Sequence, residues 1–194
     1  MNEKQLYRCE WSQGDTTDEH YHDTLWGVPI HDDQLWFEFL TLEGAQAGLS
    51  WRTIVKKIKG YQAAFYNFDI EKVARMTDED LESLLLNPDI IRNRLKVFST
   101  RNNAQQIIKV QNEFGSFDRY IWGFVDNSPI QNKFNSLDDI PSTTDISDKL
   151  CKDLKKRGFK FIGSTICYAL MQASGMVNDH ELGCFRYKEC AKLR

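Results

Sequence analysis

The chain has 194 residues, of which 41% are hydrophobic, and a formal net charge of -3. This length allows one compact domain to bury most of its apolar side chains without disulfides or other cross-links. The composition is not that of a disordered chain. The acidic balance argues against a protein that coats nucleic acid through bulk charge, but it leaves room for a local basic patch.

No stretch approaches the roughly 20 apolar residues of a membrane span, and the polar first five residues do not form a signal peptide. The five cysteines are odd in number and widely scattered. That pattern favours reduced thiols or metal ligands over a disulfide framework. We therefore expect a cytoplasmic protein that has no membrane partner.

The first thirty residues mix acids, histidines and aromatics with little periodicity, which predicts irregular chain there. The first clear helix begins after Asp32 or Asp33, either of which is a suitable N-cap. It runs to about Ala47, where Gly48 can adopt the left-handed conformation that ends a helix.

The remaining elements are also predicted to be helical, and no strand pattern of any length is present. Ser50 caps a helix that reaches about Gly60. Thr77 begins another, with Asp80 placed to complete a capping box. Residues 126–144 are the one candidate long loop. Further helices are predicted over residues 61–66, 69–76, 88–115, 116–124, about 147–156, and 164–175. The predicted fold class is therefore all-α.

One carboxylate interrupts an apolar stripe of the helix that ends near residue 47. Trp36, Leu40, Glu43 and Ala47 fall at i, i+4, i+7 and i+11, which places them on one helix face. An ionised carboxylate on a core-facing stripe is costly unless it finds donors or a cation. Glu43 therefore indicates a functional site; the competing interpretation is a side chain at the edge of the stripe that reaches water.

A second informative stretch joins two predicted helices through a glycine-bounded turn, the pattern of a helix-hairpin-helix over about residues 147–175. Gly163 lets another backbone approach closely, and the free N–H groups at the start of the Ser164 helix favour an anion. This arrangement suits a phosphate, and the alternative is an ordinary helical hairpin with a solvated lysine face. The basic residues around the turn are Lys149, Lys152, Lys155, Lys156, Arg157 and Lys160.

Two Cys/His pairs lie at opposite ends of the chain and form a set that tetrahedral zinc accepts readily. Such a site would be structural, since protein ligands fill all four positions, and it would clasp residues 9–22 to residues 180–184. Cys190 is a competing ligand, His20 could replace His22, and buried free cysteines with surface histidines are the alternative. The predicted ligands are Cys9, His22, His180 and Cys184.

Several long motifs occur in order along the chain. They are Arg8-Cys9-x-Trp11, Tyr21-His22-Asp23-x-x-Trp26-Gly27-Val28-Pro29, Leu42-Glu43-Gly44-x-Gln46-Ala47-Gly48-Leu49-Ser50-Trp51, Leu154-Lys155-Lys156-Arg157-Gly158-Phe159-Lys160-Phe161, Gly163-x-Thr165, and Asn178-Asp179-His180 followed by Cys184. With these motifs the chain resembles the bacterial 3-methyladenine DNA glycosylase I enzymes from about residue 8 to residue 184. The resemblance implies an all-helical, two-lobed helix-hairpin-helix fold, one domain over residues 1–194, a structural zinc, and a monomer.

The resemblance also implies roles for matching positions. Glu43 matches the glutamate that recognises the damaged base. Tyr21 and Trp51 match aromatic pocket residues, and Trp11 and Trp26 are expected to line the same cavity. The four predicted metal ligands match the zinc ligands of the family. The predicted DNA contacts are Gly48 and Leu49, in the turn that probes the gap left in the duplex, with Lys156, Arg157, Gly158, Lys160, Gly163, Ser164 and Thr165 around the hairpin.

The implied activity is base excision repair, in which the enzyme flips 3-methyladenine out of double-stranded DNA and hydrolyses its glycosidic bond to leave an abasic site. An aromatic face would stack on the cationic base while Glu43 accepts a hydrogen bond from its exocyclic amine edge. No lysine nucleophile is indicated at the hairpin, so no lyase activity is expected. The catalytic aspartate of the wider superfamily has no match at its usual spacing. Asp179 is the nearest candidate. We interpret it instead as a residue that shapes the turn around the predicted zinc ligand His180.

Two positions depart from the pattern of the family. Asp18 ends a stretch where many relatives have a pocket tyrosine, and Leu25 stands where a glutamate is common. Two other functions stay open: a zinc-stabilised DNA-binding domain without catalysis, and a glycosylase for oxidised or mismatched bases. The presence of Glu43 with its aromatic partners argues against the first, and the missing aspartate argues against the second. Activity on 3-methylguanine and the occupancy of the zinc site also stay open.

Overall fold

The computed structural model describes residues 6–193. This part of the chain contains eleven α-helices and one pair of very short strands. The helices are α1 (Thr16–Thr24), α2 (Asp33–Gln46), α3 (Trp51–Val55), α4 (Ile58–Ala64), α5 (Ile70–Ala74), α6 (Asp78–Leu84), α7 (Arg94–Phe114), α8 (Phe117–Trp122), α9 (Asp145–Lys156), α10 (Ser164–Ala173) and α11 (Phe185–Cys190). The prediction of a helical protein is confirmed. No helix within residues 6–193 is long and apolar enough to cross a membrane.

The core is built around α2, which packs against α3, α7, α8 and α10. Trp36, Phe37 and Leu40 are at most 1% exposed. A helix that buries apolar side chains on most of its circumference belongs in the interior of a domain. A second, smaller cluster includes Cys9 and Trp26, beside the place where the two ends of the described chain meet. The predicted core helix is therefore the element against which the others are arranged.

The first thirty residues are more regular than predicted. A 3-10 helix over Glu10–Ser12 is followed by α1, whose N-cap Asp15 accepts a hydrogen bond from the backbone N–H of Thr17. The buried side of α1 carries Asp18, Tyr21 and His22. Because two of these three side chains are polar, the helix lacks the apolar periodicity that would identify it in the sequence.

Three helix boundaries differ from the predictions. The helix that was expected to reach Gly60 ends at residue 55, and α4 starts after Lys57. The long helix α7 begins after Asn93 rather than at Pro88, because the Asn93 side chain accepts from the N–H of Lys96 and caps it. The helix α9 starts two residues before the predicted position, after the cap Thr144.

Three predicted caps are confirmed, and the predicted loop is partly ordered. Asp32 caps α2, Ser50 caps α3, and Thr77 with Asp80 forms the expected capping box of α6. Within residues 126–144 lie the strand β1 (Ile130–Gln131) and a 3-10 helix (Leu137–Asp139). The strand pairs in parallel with β2 (Val177–Asn178), with Ile130 opposite Val177. A two-residue strand has no readable alternation, so only long-range contact defines it.

Candidate active site and metal centre

A cavity of about 310 Å³ opens where α1, α2, α3 and α10 meet the loop around residues 137–142. This volume is at the lower end of the range for small-molecule pockets, roughly 300–1,000 Å³. All five side chains that sequence reasoning placed in a base pocket line this cavity. Its lining residues are Trp11, Tyr21, Trp26, Glu43, Gln46, Trp51, Leu137, Ile140, Pro141, Ser142, Thr165, Tyr168, Ala169 and Gln172.

Glu43 lies in the last turn of α2 and is 5% exposed. Among residues 6–193 its carboxyl has no hydrogen-bond partner that shifts its pKa, and burial is the only cause of the shift. Burial raises the pKa of Glu43 to about 8 because the ionised form loses its hydration. At neutral pH the group therefore holds a proton, and it can donate one hydrogen bond and accept others. The interpretation of Glu43 as an exposed edge residue is wrong, since the side chain is buried.

Two aromatic pairs form the walls of the cavity. The rings of Tyr21 and Trp51 are 4.9 Å apart at 46°, and those of Trp11 and Trp26 are 5.1 Å apart at 69°. The indole N–H groups of Trp11 and Trp51 are buried without a partner in the described part of the chain. Such groups are costly in a finished core and are expected where a ligand supplies the missing acceptor. The cavity thus combines apolar walls with three unused polar groups.

The polar cavity side chains that sequence reasoning missed include Tyr168 and Gln172 of α10. Both donate to Oδ2 of Asp179, at 2.6 and 2.9 Å, and Asn132 donates to its Oδ1 at 2.6 Å. Asp179 therefore anchors the cavity wall as well as adjoining a predicted metal ligand. Thr165, Tyr168 and Gln172 recur at helical spacing, a pattern that could have identified this face once Thr165 was singled out.

Asp18, at the position where many relatives have a pocket tyrosine, does not line the cavity. It is 7% exposed and accepts hydrogen bonds from Nη2 and Nε of Arg52, at 2.8 and 3.2 Å. Arg52 directly follows Trp51, and Asp18 lies one turn before Tyr21. The ion pair therefore ties α1 to α3, the two helices that carry the Tyr21–Trp51 pair. Leu25, at the other departure, is 48% exposed.

The four predicted metal ligands come together in the interior. One donor atom from each lies within 4.8 Å of the others, and all four residues are buried. Cys184 Sγ is 3.4 Å from His22 Nε2 and 3.8 Å from His180 Nδ1, which is 3.6 Å from Cys9 Sγ. Tetrahedral bonds of about 2.0 Å to nitrogen and about 2.3 Å to sulfur give edges of roughly 3.3–3.8 Å. The cluster could therefore hold a metal ion.

The second nitrogen of each histidine in the cluster has a partner of its own. His22 Nδ1 is 2.8 Å from Asp23, which Arg8 holds in turn, and His180 Nε2 is 3.2 Å from the carbonyl of Trp26. Such partners fix the ring orientation and tautomer of metal-binding histidines. Burial lowers the pKa of His180, which favours the neutral ring that can bind a metal.

The competing ligands stay outside this cluster. Among the described residues, the group of potential donors contains neither Cys190 nor His20. Cys190 is buried nearby, within reach of the backbone at Gly27, whereas His20 is exposed. The structure thus joins the segments around residues 9–22 and 180–184, as the spacing predicted.

The turn between α9 and α10, residues 157–163, exposes basic side chains. Lys156 and Lys160 are exposed, and Gly158 has φ +89°. Gly163 caps α10 without any side-chain hydrogen bond, so the first N–H groups of that helix are not capped from within. Thr165 is exposed at the mouth of the cavity. These features are compatible with a phosphate at this turn.

The side chains of Arg157 and Ser164 have hydrogen-bond partners within the protein. The Arg157 guanidinium donates to Asp153 at 2.7 Å and to Glu113 at 2.7 Å, and it lies 4.9 Å from the centroid of the Tyr120 ring. The Ser164 hydroxyl is bonded to side chains of α9. A phosphate contact from either side chain would therefore compete with these internal hydrogen bonds.

Gly48 and Leu49 form an exposed turn immediately after α2. Gly48 has φ +79°, a conformation that favours glycine, and Leu49 is 40% exposed. An exposed leucine at the tip of a turn has no packing role of its own. The turn lies one helical turn along the chain from Glu43, so both belong to the same end of α2.

A family model described as methyladenine glycosylase matches residues 11–187. The chain is 46% identical over 182 residues to DNA-3-methyladenine glycosylase 1 of Escherichia coli K12, which covers 94% of this chain and 97% of that protein. It is 43% identical over 177 residues to DNA-3-methyladenine glycosylase of Haemophilus influenzae Rd, covering 91% and 96%. The chain belongs to the methyladenine glycosylase family.

Solved structures of family members have the same fold. A crystal structure of 3-methyladenine DNA glycosylase I superposes with a TM-score of 0.90 at 49% identity, covering 92% of this chain and 98% of that one. The Staphylococcus aureus enzyme, studied for its recognition of 3-methyladenine, gives a TM-score of 0.90 at 36% identity, covering 93% and 96%. A family member with a tyrosine-to-phenylalanine change, solved with 3-methyladenine, gives 0.89 at 36% identity, covering 92% and 96%.

Proposed function

We propose that this protein is a monofunctional DNA glycosylase that flips 3-methyladenine out of double-stranded DNA and hydrolyses its N-glycosidic bond, leaving an abasic site. The observation that carries the proposal is the buried Glu43 carboxyl, which has no partner within residues 6–193 and faces a cavity with aromatic walls. Membership of the methyladenine glycosylase family supports the same activity.

Glu43 has the chemistry needed to read the edge of an adenine. That edge carries the exocyclic amine, a donor, beside N7, an acceptor. A protonated carboxyl offers both an acceptor oxygen and an O–H donor, and burial keeps the proton on Glu43 by raising its pKa to about 8. The faces of Tyr21 and Trp51 supply stacking that favours a cationic base over neutral adenine. Selectivity therefore combines edge recognition with charge.

Bond cleavage requires little from the protein because methylation at N3 already places positive charge on the leaving base. The cavity holds the base away from bulk water, and a water molecule attacks the oxocarbenium-like sugar. No lysine lines the cavity in the described part of the chain. A Schiff-base step has no nucleophile here, which is why we propose hydrolysis without lyase activity.

We propose that two exposed turns bind the duplex. The first is Gly48 and Leu49, where the leucine enters the gap left by the flipped base. The second is a helix-hairpin-helix over about residues 147–175, where Lys156, Lys160 and the uncapped start of α10 contact phosphates. The remaining hairpin contacts in this proposal are Gly158, Gly163 and Thr165.

The metal in this proposal is a structural zinc. Two thiolates and two imidazoles with satisfied outer nitrogens suit zinc, and four protein ligands leave no position for water. When bound, it would cross-link the two ends of the described chain. We further propose that residues 1–194 form one two-lobed glycosylase domain, which acts as a cytoplasmic monomer. The five cysteines, all free, fit a reducing compartment.

The direct test is to treat duplex DNA with a methylating agent, add the purified protein, and identify the released base by chromatography and mass spectrometry. We expect free 3-methyladenine and abasic sites without strand cleavage. Untreated DNA and DNA that carries an oxidised or mismatched base are the controls. Release of no methylated base, or release of an oxidised base instead, would contradict the proposal.

A further inference from the structure

The end of α2 is held by a side chain from a distant helix. Lys96 in the first turn of α7 donates from Nζ to the backbone carbonyls of Ala45, at 2.8 Å, and Ala47, at 2.7 Å. The last carbonyls of a helix lack partners within the helix and carry its negative dipole end, so an ammonium is a favourable cap. The capped residues immediately precede the exposed turn of Gly48 and Leu49.

The same helix holds the α9–α10 turn. Asn103 makes two hydrogen bonds with the backbone of Lys160: its Oδ1 accepts from the N–H at 2.8 Å, and its Nδ2 donates to the carbonyl at 3.0 Å. Asn102 donates to the carbonyl of Gly158 at 2.9 Å. Through these hydrogen bonds, side chains of α7 hold the backbone of residues 158–160, which forms few other hydrogen bonds.

Lys96 and Asn103 are seven residues apart, which places them on one face of a 21-residue helix. The last turn of α2 also lies close to the α9–α10 turn: a Cβ added at Gly44 would lie 3.4 Å from the carbonyl oxygen of Phe161. The face of α7 therefore spans two turns that are separated by more than a hundred residues in the sequence. Because α7 is one continuous helix, the fixed spacing of Lys96 and Asn103 sets the separation of the two turns.

We propose that Lys96 and Asn103 are positioning residues that set the distance and orientation between the Gly48–Leu49 turn and the α9–α10 turn on duplex DNA. The inference rests on the proposed function, because only a duplex substrate engages both turns at once. Neither residue lines the cavity. Substitution of Lys96 or Asn103 should therefore lower the affinity for duplex DNA and leave the affinity for the free base unchanged.

The test compares Lys96→Met and Asn103→Ala with Gln105→Ala. Gln105 is a matched control because it lies on α7 and makes the same kind of bond, from Nε2 to the carbonyl of Ala74 at 3.0 Å, but it holds α5. Three quantities are measured: affinity for a duplex that contains an abasic-site analogue, affinity for free 3-methyladenine from the change in tryptophan fluorescence, and Tm.

We expect Lys96→Met and Asn103→Ala to weaken duplex binding by about tenfold or more, since small displacements of positioned groups cost that much. Free-base affinity should stay within about twofold of the unaltered protein, and KM for methylated DNA should rise more than kcat falls. Lys96→Arg should restore most of the duplex affinity, because a guanidinium can also bridge two carbonyls. Gln105→Ala should change none of these.

Two results would overturn the inference. One is an unchanged duplex affinity in both variants. The other is a parallel loss of duplex affinity, free-base affinity and Tm, which would indicate a general loss of folding. Release of 3-methyladenine by the unaltered protein is measured alongside. Failure of that release contradicts the proposed function, whereas normal release with insensitive variants contradicts only the positioning role.

Discussion

Two buried polar regions lie side by side in this protein, and they differ in how completely their polar atoms are paired. In the metal cluster, the outer nitrogens of His22 and His180 both have partners. In the cavity, within residues 6–193, the two indole N–H groups of Trp11 and Trp51 have no partner, and no hydrogen bond contributes to the pKa of the Glu43 carboxyl. Trp26 contributes to both regions, since it lines the cavity and its ring centroid lies 4.6 Å from that of His180.

The difference separates stabilising from functional burial. A paired cluster can stabilise the irregular ends of the chain, because little desolvation is left uncompensated. An unpaired carboxyl in a cavity lowers stability until a ligand satisfies it. The same protein therefore uses buried polar groups for opposite purposes, within one or two side chains of each other. The predictions below alter one region at a time.

The largest expected effect follows Glu43→Ala. This change removes both the acceptor oxygen and the O–H donor, so release of 3-methyladenine from methylated DNA should fall by about 100-fold to 1,000-fold. Binding to duplex DNA should be nearly unchanged. Release is measured by chromatography under single-turnover conditions, with fluorescence anisotropy for binding. Unchanged release would show that the unpaired carboxyl has no functional part.

The next effect is on the metal cluster. Cys184→Ser should abolish metal binding and lower the free energy of unfolding by about 3 kcal/mol or more, which corresponds to roughly 10 °C in Tm. Zinc content is measured by elemental analysis and Tm by differential scanning calorimetry. Cys190→Ser is the matched control, since Cys190 is buried nearby but lies outside the cluster. Equal zinc content in the two variants would contradict the assignment of Cys184 as a metal ligand.

The pH dependence of stability tests the cavity without substrate. The pKa of Glu43 is about 8 in the folded protein against an ordinary value of 4.5. Between these values the folded state holds a proton that the unfolded state has released, so stability falls as pH rises, by about 1 kcal/mol per pH unit. Glu43→Gln should remove this fall and be the more stable form at pH 7. Urea unfolding at pH 5 and pH 7 provides the measurement; parallel profiles for the two proteins would contradict it.

The smallest effects separate two neighbouring basic residues. Lys156→Met should reduce the salt dependence of duplex binding by about one unit of slope, because Lys156 is exposed. Arg157→Met should leave the slope unchanged and lower Tm by a few degrees, roughly, since its guanidinium binds Glu113 and Asp153. Binding is measured by anisotropy from low to high salt. A reduced slope for Arg157→Met would show that its guanidinium contacts DNA despite its internal ion pairs.

Much of the site could be predicted from local patterns. The position of Glu43 on an apolar stripe indicated a buried carboxyl, and the spacing of the Cys/His pairs indicated one cluster. The caps at Ser50 and Thr77 were also readable, because capping depends on residues three positions apart. These features share a cause: the interaction that defines each one is local, or is repeated at a helical period.

Other features could not be predicted because their partners are distant in the sequence. The use of Arg157 depends on Glu113, 44 residues earlier. The anchoring of Tyr168 and Gln172 depends on Asp179, whose own third donor comes from Asn132. The helix α1 was not predicted because its buried face is largely polar. Those polar side chains are buried because they contact the metal cluster and the neighbouring helices, which the local sequence does not show.

The sequence by itself determined a helical protein, a misplaced glutamate among aromatics, and a set of four metal-type ligands, since periodicity and residue chemistry are encoded locally. Only the tertiary structure decided which polar groups are paired. Within residues 6–193 it leaves Glu43 without a partner, pairs Arg157 with Glu113 and Asp153, and brings the ends of α2 and α9 to one face of α7. Pairing depends on which distant segments share the interior, and that is settled by the packing of the whole chain.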